Sequence, residues 1–302
     1  MSPSFKTVLA LTRNLRDIDK VLINQGRLLS QNYRNELFSD IRDAEFQIFS
    51  QWGEDGIIQY LTKNLDIEHR TFIEFGVETF MEANCRFLMV KDFWEGMIID
   101  GSAANIAAIE QTQMHWRHPL TAVEAFISRD NISDIIEKAP FDGLGILSVD
   151  IDGVDYYVLD RLGHLRPAII VVEYNGLFGP VATVSVPYSA NFQRTKSHHS
   201  NLYYGASIAA FDHLLSGRGY SLVGGNSAGN NAFFVRSDLL NDKIRAVNVT
   251  SAYSKTSFSE TRDANGKLTF VRGMERRSII ADLALFDVVS GETLRVADLP
   301  LA

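Results

Sequence analysis

Thr71-Phe-Ile-Glu-Phe-Gly-Val-Glu-Thr-Phe80 and the later Met97-Ile-Ile-Asp-Gly-Ser102 decide the fold. The first is a short apolar strand that ends in an acid, Glu74, and a glycine, Gly76. A helical run over Glu82–Asp92 follows, and the second apolar strand ends on Asp100. Strand, glycine turn, helix, strand with a terminal acid is the front half of a nucleotide-binding α/β unit. Glycine lets the backbone approach a ligand. A carboxylate offers only acceptors, which suits both hydroxyls of a ribose. Asp100 lies about 26 residues past Glu74, near the ribose-acid spacing of dinucleotide folds. Of G-x-G-x-x-G only Gly76 is present, so a pyrophosphate cradle is poorly supported. A buried strand whose glycine merely turns the chain is the competing reading.

The rest of the chain extends the pattern. Residues 5–38 read as a helix in which Val8, Leu11, Leu15, Ile18, Leu22 and Leu29 repeat at three- and four-residue steps. That is a heptad seam, read either as a homodimerisation arm or as an amphipathic helix lying on its own domain. The loop Phe49-Ser-Gln-Trp-Gly-Glu-Asp-Gly56 precedes a helix over Ile57–Asn64, with Glu54 and Asp55 placed to cap it or to close over a ligand. Further elements are a helix near Ala103–Gln113, a strand over Leu120–Ile127, a helix after Asp130, an apolar run Gly143–Gly153, a helix over Val154–Leu162 and a β-branched strand over Pro167–Asn175. Strands alternating with helices imply a parallel sheet covered on both faces. A helix over Ser207–Ser216 leads to Gly219–Gly224 and Asn231–Arg236, joined by so short a turn that they pair antiparallel. The tail carries hairpin signals at Asp263-Ala-Asn-Gly266 and Ser290-Gly-Glu292. The expected division is a helical arm over 1–45, an α/β domain over 46–245 and an appendage over 246–302.

With 302 residues the chain can bury a full core. A net charge of −8 argues against nucleic acid as a partner. The single cysteine, Cys85, excludes an internal disulfide, fits a reducing cytoplasm and reads as a small core residue. No stretch reads as a signal peptide or a membrane span.

In a parallel sheet, ligands sit beyond the carboxyl ends of the strands. Those ends carry Glu74 and Gly76, Asp100, Asp150 with Asp152, and Glu173 with Asn175. So many acids require cations or hydrogen-bond donors. Asp150, Asp152, Glu173 and Asn175 are candidate ligands for Mg²⁺ or Mn²⁺, since hard oxygen donors suit such ions. The competing reading is that these acids cap the following helices, with Asp152 the N-cap at Val154. His198 and His199 are candidate general bases in a polar loop that also suits solvated surface histidines. Arg262, Arg272, Arg276 and Arg277 are either salt-bridged surface or holders of an acceptor's phosphate or carboxylate.

Taken in order, Ser50-Gln-Trp-Gly-Glu-Asp-Gly-Ile-Ile58, Phe72-Ile-Glu-Phe-Gly76, Gly96-Met-Ile-Ile-Asp100, Leu147-Ser-Val-Asp-Ile-Asp-Gly-Val-Asp-Tyr156 and Val171-Val-Glu-Tyr-Asn175 resemble the FkbM-type S-adenosylmethionine-dependent methyltransferases. The resemblance runs from about residue 46 to about 236. It implies a Rossmann-like fold, a seven-stranded mostly parallel sheet whose last strand is antiparallel. It further implies S-adenosyl-L-methionine as cofactor, with Glu74 and Gly76 in the first cofactor motif and Asp100 on the ribose; Gly101 and Ser102 beside it complete the cofactor-binding candidates. Asp150 and Asp152 match the acids after the fourth strand. The first motif departs from the usual small residues at Val77-Glu-Thr-Phe-Met81, where bulky side chains are expected to crowd the methionine end.

The expectation is an O-methyltransferase acting on a hydroxyl of a sugar or a related small polar acceptor, with Asp150 or Asp152 as base and a metal as a possible aid. Two alternatives stay open. Asp150-Ile-Asp152 also reads as the D-x-D of a metal-dependent glycosyltransferase. A non-catalytic module of the same fold, binding partners through the N-terminal helix, is the other.

Overall fold

The structure, a computed structural model, describes residues 5–112 and 114–300, with side chains from residue 18 onward. Its centre is a sheet of seven strands: β1 (Thr71–Phe75), β2 (Glu95–Asp100), β3 (Leu120–Glu124), β4 (Ile146–Val149), β5 (Ile169–Glu173), β7 (Tyr220–Gly225) and β8 (Asn231–Arg236). A short β6 (Val184–Ser185) joins the tail strands β9 (Ala284–Asp287) and β10 (Thr293–Arg295) in a second, antiparallel sheet. The large sheet has the order β3-β2-β1-β4-β5-β8-β7. Its first five strands are parallel, and β8 runs antiparallel between β5 and β7. This is the Rossmann-like sheet with an antiparallel last strand that the motif order implies.

The helices are α1 (Phe5–Ser30), α2 (Glu54–Asn64), α3 (Arg86–Asp92), α4 (Ala103–Glu110), α5 (Met114–Arg117), α6 (Ile132–Ile136), α7 (Asp155–Arg161), α8 (Arg194–Ser197), α9 (Ile208–Ser216) and α10 (Val249–Ala252). Strand side chains alternate between two cores. Phe72, Ile98, Ile146, Val171 and Phe233 meet Ile57, Ile58, Leu61 and Leu88 on the α2 and α3 face. Ile73, Met97, Leu147, Val172 and Phe234 meet Ile132, Val158 and Phe211 on the α6, α7 and α9 face.

Several boundaries differ from the sequence reading, each for a local reason. α1 stops at Ser30, short of residue 38, where Tyr33 turns inward and donates to the Ala44 carbonyl (2.7 Å). Its Val8, Leu11 and Leu15 side chains lie outside the described residues. α2 begins at Glu54, and neither acid caps it: Asp55 accepts from the N–H groups of Ile48, Phe49 and Ser50, tying the preceding loop down. α3 begins at Arg86, because the N–H groups of Asn84 and Cys85 are taken by Glu74. Asp152 is not a cap. The helix it precedes is held instead by Asp155, which accepts from Ile151 N–H (2.7 Å) and Gly153 N–H (2.9 Å). β3 ends at Glu124, α4 at Glu110, and β5 spans Ile169–Glu173. Asn231–Arg236 and the Ser290–Glu292 hairpin fall where the sequence puts them.

The tail packs on the α/β core through a third apolar cluster. Ile280, Leu285, Val296 and Leu299 meet Leu177, Phe178, Val184 and Leu202, all buried. No helix among the described residues is long and apolar enough to cross a membrane.

Candidate functional site

Because the first five strands are parallel, their carboxyl ends share one edge, and a cleft of about 420 Å³ lies there. Within their strands, Glu74, Asp100, Glu173 and Asn231 continue the alternation of Phe72, Ile98, Val171 and Phe233, so they share one face; Asp150 follows β4 in the same phase. The cleft is lined by all five.

Gly76 sits at the tip of β1 with φ +71°, a conformation that favours glycine. Its N–H donates to the Ile99 carbonyl (2.9 Å), which holds the β1 and β2 tips together. Glu74 is buried beneath it and accepts from Asn84 N–H (2.6 Å) and Cys85 N–H (3.0 Å). Burial raises its pKa to about 7, against the pull of those two donors. Glu74 thus anchors the loop 77–84 from below. Burial and the neighbouring Glu74 push the Cys85 thiol well up, and Cys85 is a core residue. Phe80 is fully buried in the α2 and α3 core, and Met81 is exposed; neither lines the cleft. Of the Val77–Met81 stretch expected to crowd the methionine end, Phe80 and Met81 turn away, whereas Val77 and Glu78 line the cleft.

Asp100 accepts from Ser102 N–H (2.8 Å) and Asn105 Nδ2 (2.9 Å) on one oxygen and from Glu78 N–H (2.8 Å) on the other. An ionised carboxylate has roughly four acceptor sites. Three are filled, so Asp100 retains capacity for one further donor as it stands. Gly101 lies in the cleft wall beside Phe126, while Ser102 caps α4 and does not line the cleft.

On the opposite side, one oxygen each of Asp150, Asp152 and Glu173 lies within 4.8 Å of the others. Burial pushes both Asp150 and Glu173 well above the ordinary carboxylate range. Asp152 and Asp155 raise both further and Asp150 raises Glu173, while the hydrogen bond with Glu173 holds Asp150 down and Arg194 holds both down. Arg194 supplies the nearby positive charge. It pairs with Asp152, donates to the Asn201 carbonyl (2.7 Å) and stacks 3.9 Å from the Tyr204 ring centroid. Burial would lower its pKa; Tyr204, Asp152 and Glu173 hold it well above the usual value instead.

Asn175 is not free for a ligand in the same way. Its amide donates to the carbonyls of Leu202 and Tyr204 (both 3.0 Å), and its oxygen accepts from Leu177 N–H (3.0 Å). His198 and His199 do not line the cleft; their rings lie 4.0 Å apart, with His198 Nδ1 on the Ser200 hydroxyl (2.7 Å). Of the four tail arginines, only Arg276 lines the cleft. Arg262 pairs with Glu260, Arg277 binds the carbonyls of Val296, Leu299 and Pro300, and Arg272 is exposed.

Glu54, read from the sequence as a cap or a ligand-closing acid, takes a different part, and residues that the sequence reading passed over complete the site. Glu54 is buried at the head of α2 and accepts from Asn226 Nδ2 (2.6 Å) and Asn231 Nδ2 (2.9 Å). A carboxylate there fixes which way the Asn231 amide points. The amide oxygen of Asn231 is thereby left buried, at the cleft and without a partner, directly opposite Glu173 in the sheet. From the tail, Thr256, Phe258 and Glu260 add a wall, with Phe258 edge-on to Trp52 (5.2 Å).

No family model and no curated protein matches the chain. Among solved structures it is similar to the CMeT domain of a citrinin polyketide synthase (11% identity over 63% of this chain and 55% of that one, TM-score 0.37). It is similar also to the CurJ carbon methyltransferase (10% identity, 74% and 70% covered, TM-score 0.40). A third is human N-acetylserotonin methyltransferase in complex with SAM (14% identity, 55% and 47% covered, TM-score 0.32). The chain thus spans about half the length of the first and third.

Proposed function

We propose that the protein is an S-adenosylmethionine-dependent O-methyltransferase acting on a hydroxyl of a polar, sugar-like acceptor. The observation that carries this reading is one cleft with Asp100 on its β2 side and the carboxylates of Asp150, Asp152 and Glu173 on its β4 and β5 side. The cleft residues fit that cofactor. Asp100 has acceptor capacity for a ribose hydroxyl, Gly76 lines the cleft without a side chain, and Phe126 and Ile127 offer an apolar wall for a base. The orphaned Asn231 oxygen calls for a donor from the ligand.

When bound, the cofactor supplies the methyl group. The chain's own residues orient the acceptor hydroxyl and take its proton. Asp150 is the base in this reading, since it lines the cleft just past the tip of β4, with a carboxylate oxygen close to those of Asp152 and Glu173. Glu173 and Arg194 set its charge environment. Asp150, Asp152 and Glu173 are also the residues that would hold Mg²⁺ or Mn²⁺, and a divalent ion there would lower the hydroxyl's pKa. Asp152 is the remaining candidate proton carrier in the cleft, which His198 and His199 do not line. The α1 stripe of Ile18, Val21, Leu28 and Leu29 is exposed and is assigned to a second copy of the chain, which sedimentation of the full chain tests.

Thermal shift tests the reading directly. S-adenosylmethionine or S-adenosylhomocysteine should stabilise the protein, and UDP- or GDP-sugars should not. Stabilisation by a nucleotide sugar alone would assign the carboxylates to glycosyl transfer instead.

A further inference from the structure

Arg276 has an unusual position for a charged side chain. It is only 4% exposed, lines the cleft, and stands on a 3-10 segment of the tail, Gly273–Ile280. Its hydrogen-bond partners are neutral: Nη2 donates to the Thr256 hydroxyl (2.7 Å) and Nε to the Gly273 carbonyl (3.3 Å). Among the described residues no carboxylate lies within 4.0 Å of its guanidinium, whereas Arg194 and Arg262 each have an acid. A guanidinium has five N–H donors in a planar fork, so two hydrogen bonds leave most of it unused. Burying a charge against neutral acceptors alone is costly, and an oxyanion offsets that cost best.

We propose that Arg276 binds an oxyanion on the acceptor, a phosphate or a carboxylate, while the acceptor's hydroxyl faces Asp150 and Glu173. The cleft is polarised accordingly. Its floor holds three acids, of which Asp152 is paired with Arg194, and its tail-side wall holds Arg276 together with Glu260, whose charge is met by Arg262. The unpaired cation therefore lies on the tail side, and a molecule with a hydroxyl at one end and a negative group at the other is favoured in one orientation. Thr256 acts as a positioning residue that holds the fork in place. This assignment names the acceptor class for the methyl-transfer reading and rests on it for what the bound molecule is used for.

Calorimetric titration of the full chain with glucose 1-phosphate, glucuronate and glucose tests it, with S-adenosylhomocysteine titrated separately. The unmodified protein should bind one of the two anions at least about 10-fold more tightly than glucose, as a charge-assisted contact implies. Inorganic phosphate should compete with that anion. Arg276→Met should abolish the preference and Arg276→Lys should keep part of it, with S-adenosylhomocysteine affinity reporting that each variant is folded. Equal binding of all three sugars, absence of competition by phosphate, or a preference that survives Arg276→Met overturns the proposal. An anion preference without any S-adenosylhomocysteine binding would overturn the methyl-transfer reading and leave the anion site standing. Which anion wins separates a phosphorylated acceptor from an acidic sugar.

Discussion

A β-carbon on Gly76 would lie 1.7 Å from the carbonyl oxygen of Asp150. The tips of β1 and β4 therefore touch backbone to backbone, and the two halves of the cleft are set by that contact. Gly76→Ala should destabilise the fold by about 3 kcal/mol or more, since it adds overlap with main chain to a positive φ that alanine disfavours. Urea unfolding measures it; a loss under about 1 kcal/mol would mean the strand tips separate easily.

Asp100→Ala removes the acceptor for three donors as well as the candidate ribose contact. Affinity for S-adenosylhomocysteine should fall by about 100-fold, the size of one or two hydrogen bonds to a charged group. Undiminished binding by calorimetry would remove the ribose role.

Stability should fall as pH rises from about 5 to about 7.5. Burial raises the pKa of Asp55 and Asp155 to about 6 and that of Glu74 to about 7. Each then holds its proton longer in the folded state than in the unfolded one. The stability this adds is full below the ordinary carboxylate range and is lost as pH passes the folded values. His118 and His198 are lowered, chiefly by burial, and act in the opposite direction, but both remain partly exposed. Denaturant titrations at the two pH values check the sign; rising stability would show that those acids are ionised in the native state at little cost.

Arg194→Met takes away a cation that holds Asp150 and Glu173 down. Both carboxyls should titrate at still higher pH, which carbon-13 carboxyl NMR can follow without any substrate. An unchanged titration would show that the remaining acids alone set the charge of the cluster.

If the three carboxylates hold a divalent ion, Mn²⁺ should bind to the unmodified protein and be lost in Glu173→Gln, as read by electron paramagnetic resonance. EDTA should then suppress methyl transfer and Mg²⁺ restore it. Full turnover in chelator would leave proton transfer to Asp150 as the whole of the chemistry at that end.

The sheet was legible because its strands are short β-branched and apolar runs bounded by glycine and acids, as at Ile169–Glu173 and Asn231–Arg236. The strand tips followed from topology, so Gly76, Asp100, Asp150 and Glu173 could be named as one group. Tyr204 and Thr256 could not, because they reach the cleft from irregular segments where side-chain direction has no period to follow, and Arg194 opens the four-residue α8, too short to show a period. Asp55 and Asp155 illustrate a different limit. Asp55 reads as a cap, and before the later helix Asp152 reads as the cap rather than Asp155, yet Asp55 and Asp155 are both buried and accept from the N–H groups of the preceding loop. The orphaned oxygen of Asn231 depends on Glu54, 177 positions away, and no local pattern carries such a pairing.

Thr256, Phe258, Glu260 and Arg276 come from beyond the last strand of the large sheet, yet they wall its cleft. On the methyl-transfer reading, the chain would separate two tasks along its length, with donor handling in the sheet and acceptor choice in the tail. Replacement of the segment after β8 should then change which acceptors bind while leaving S-adenosylhomocysteine affinity in place.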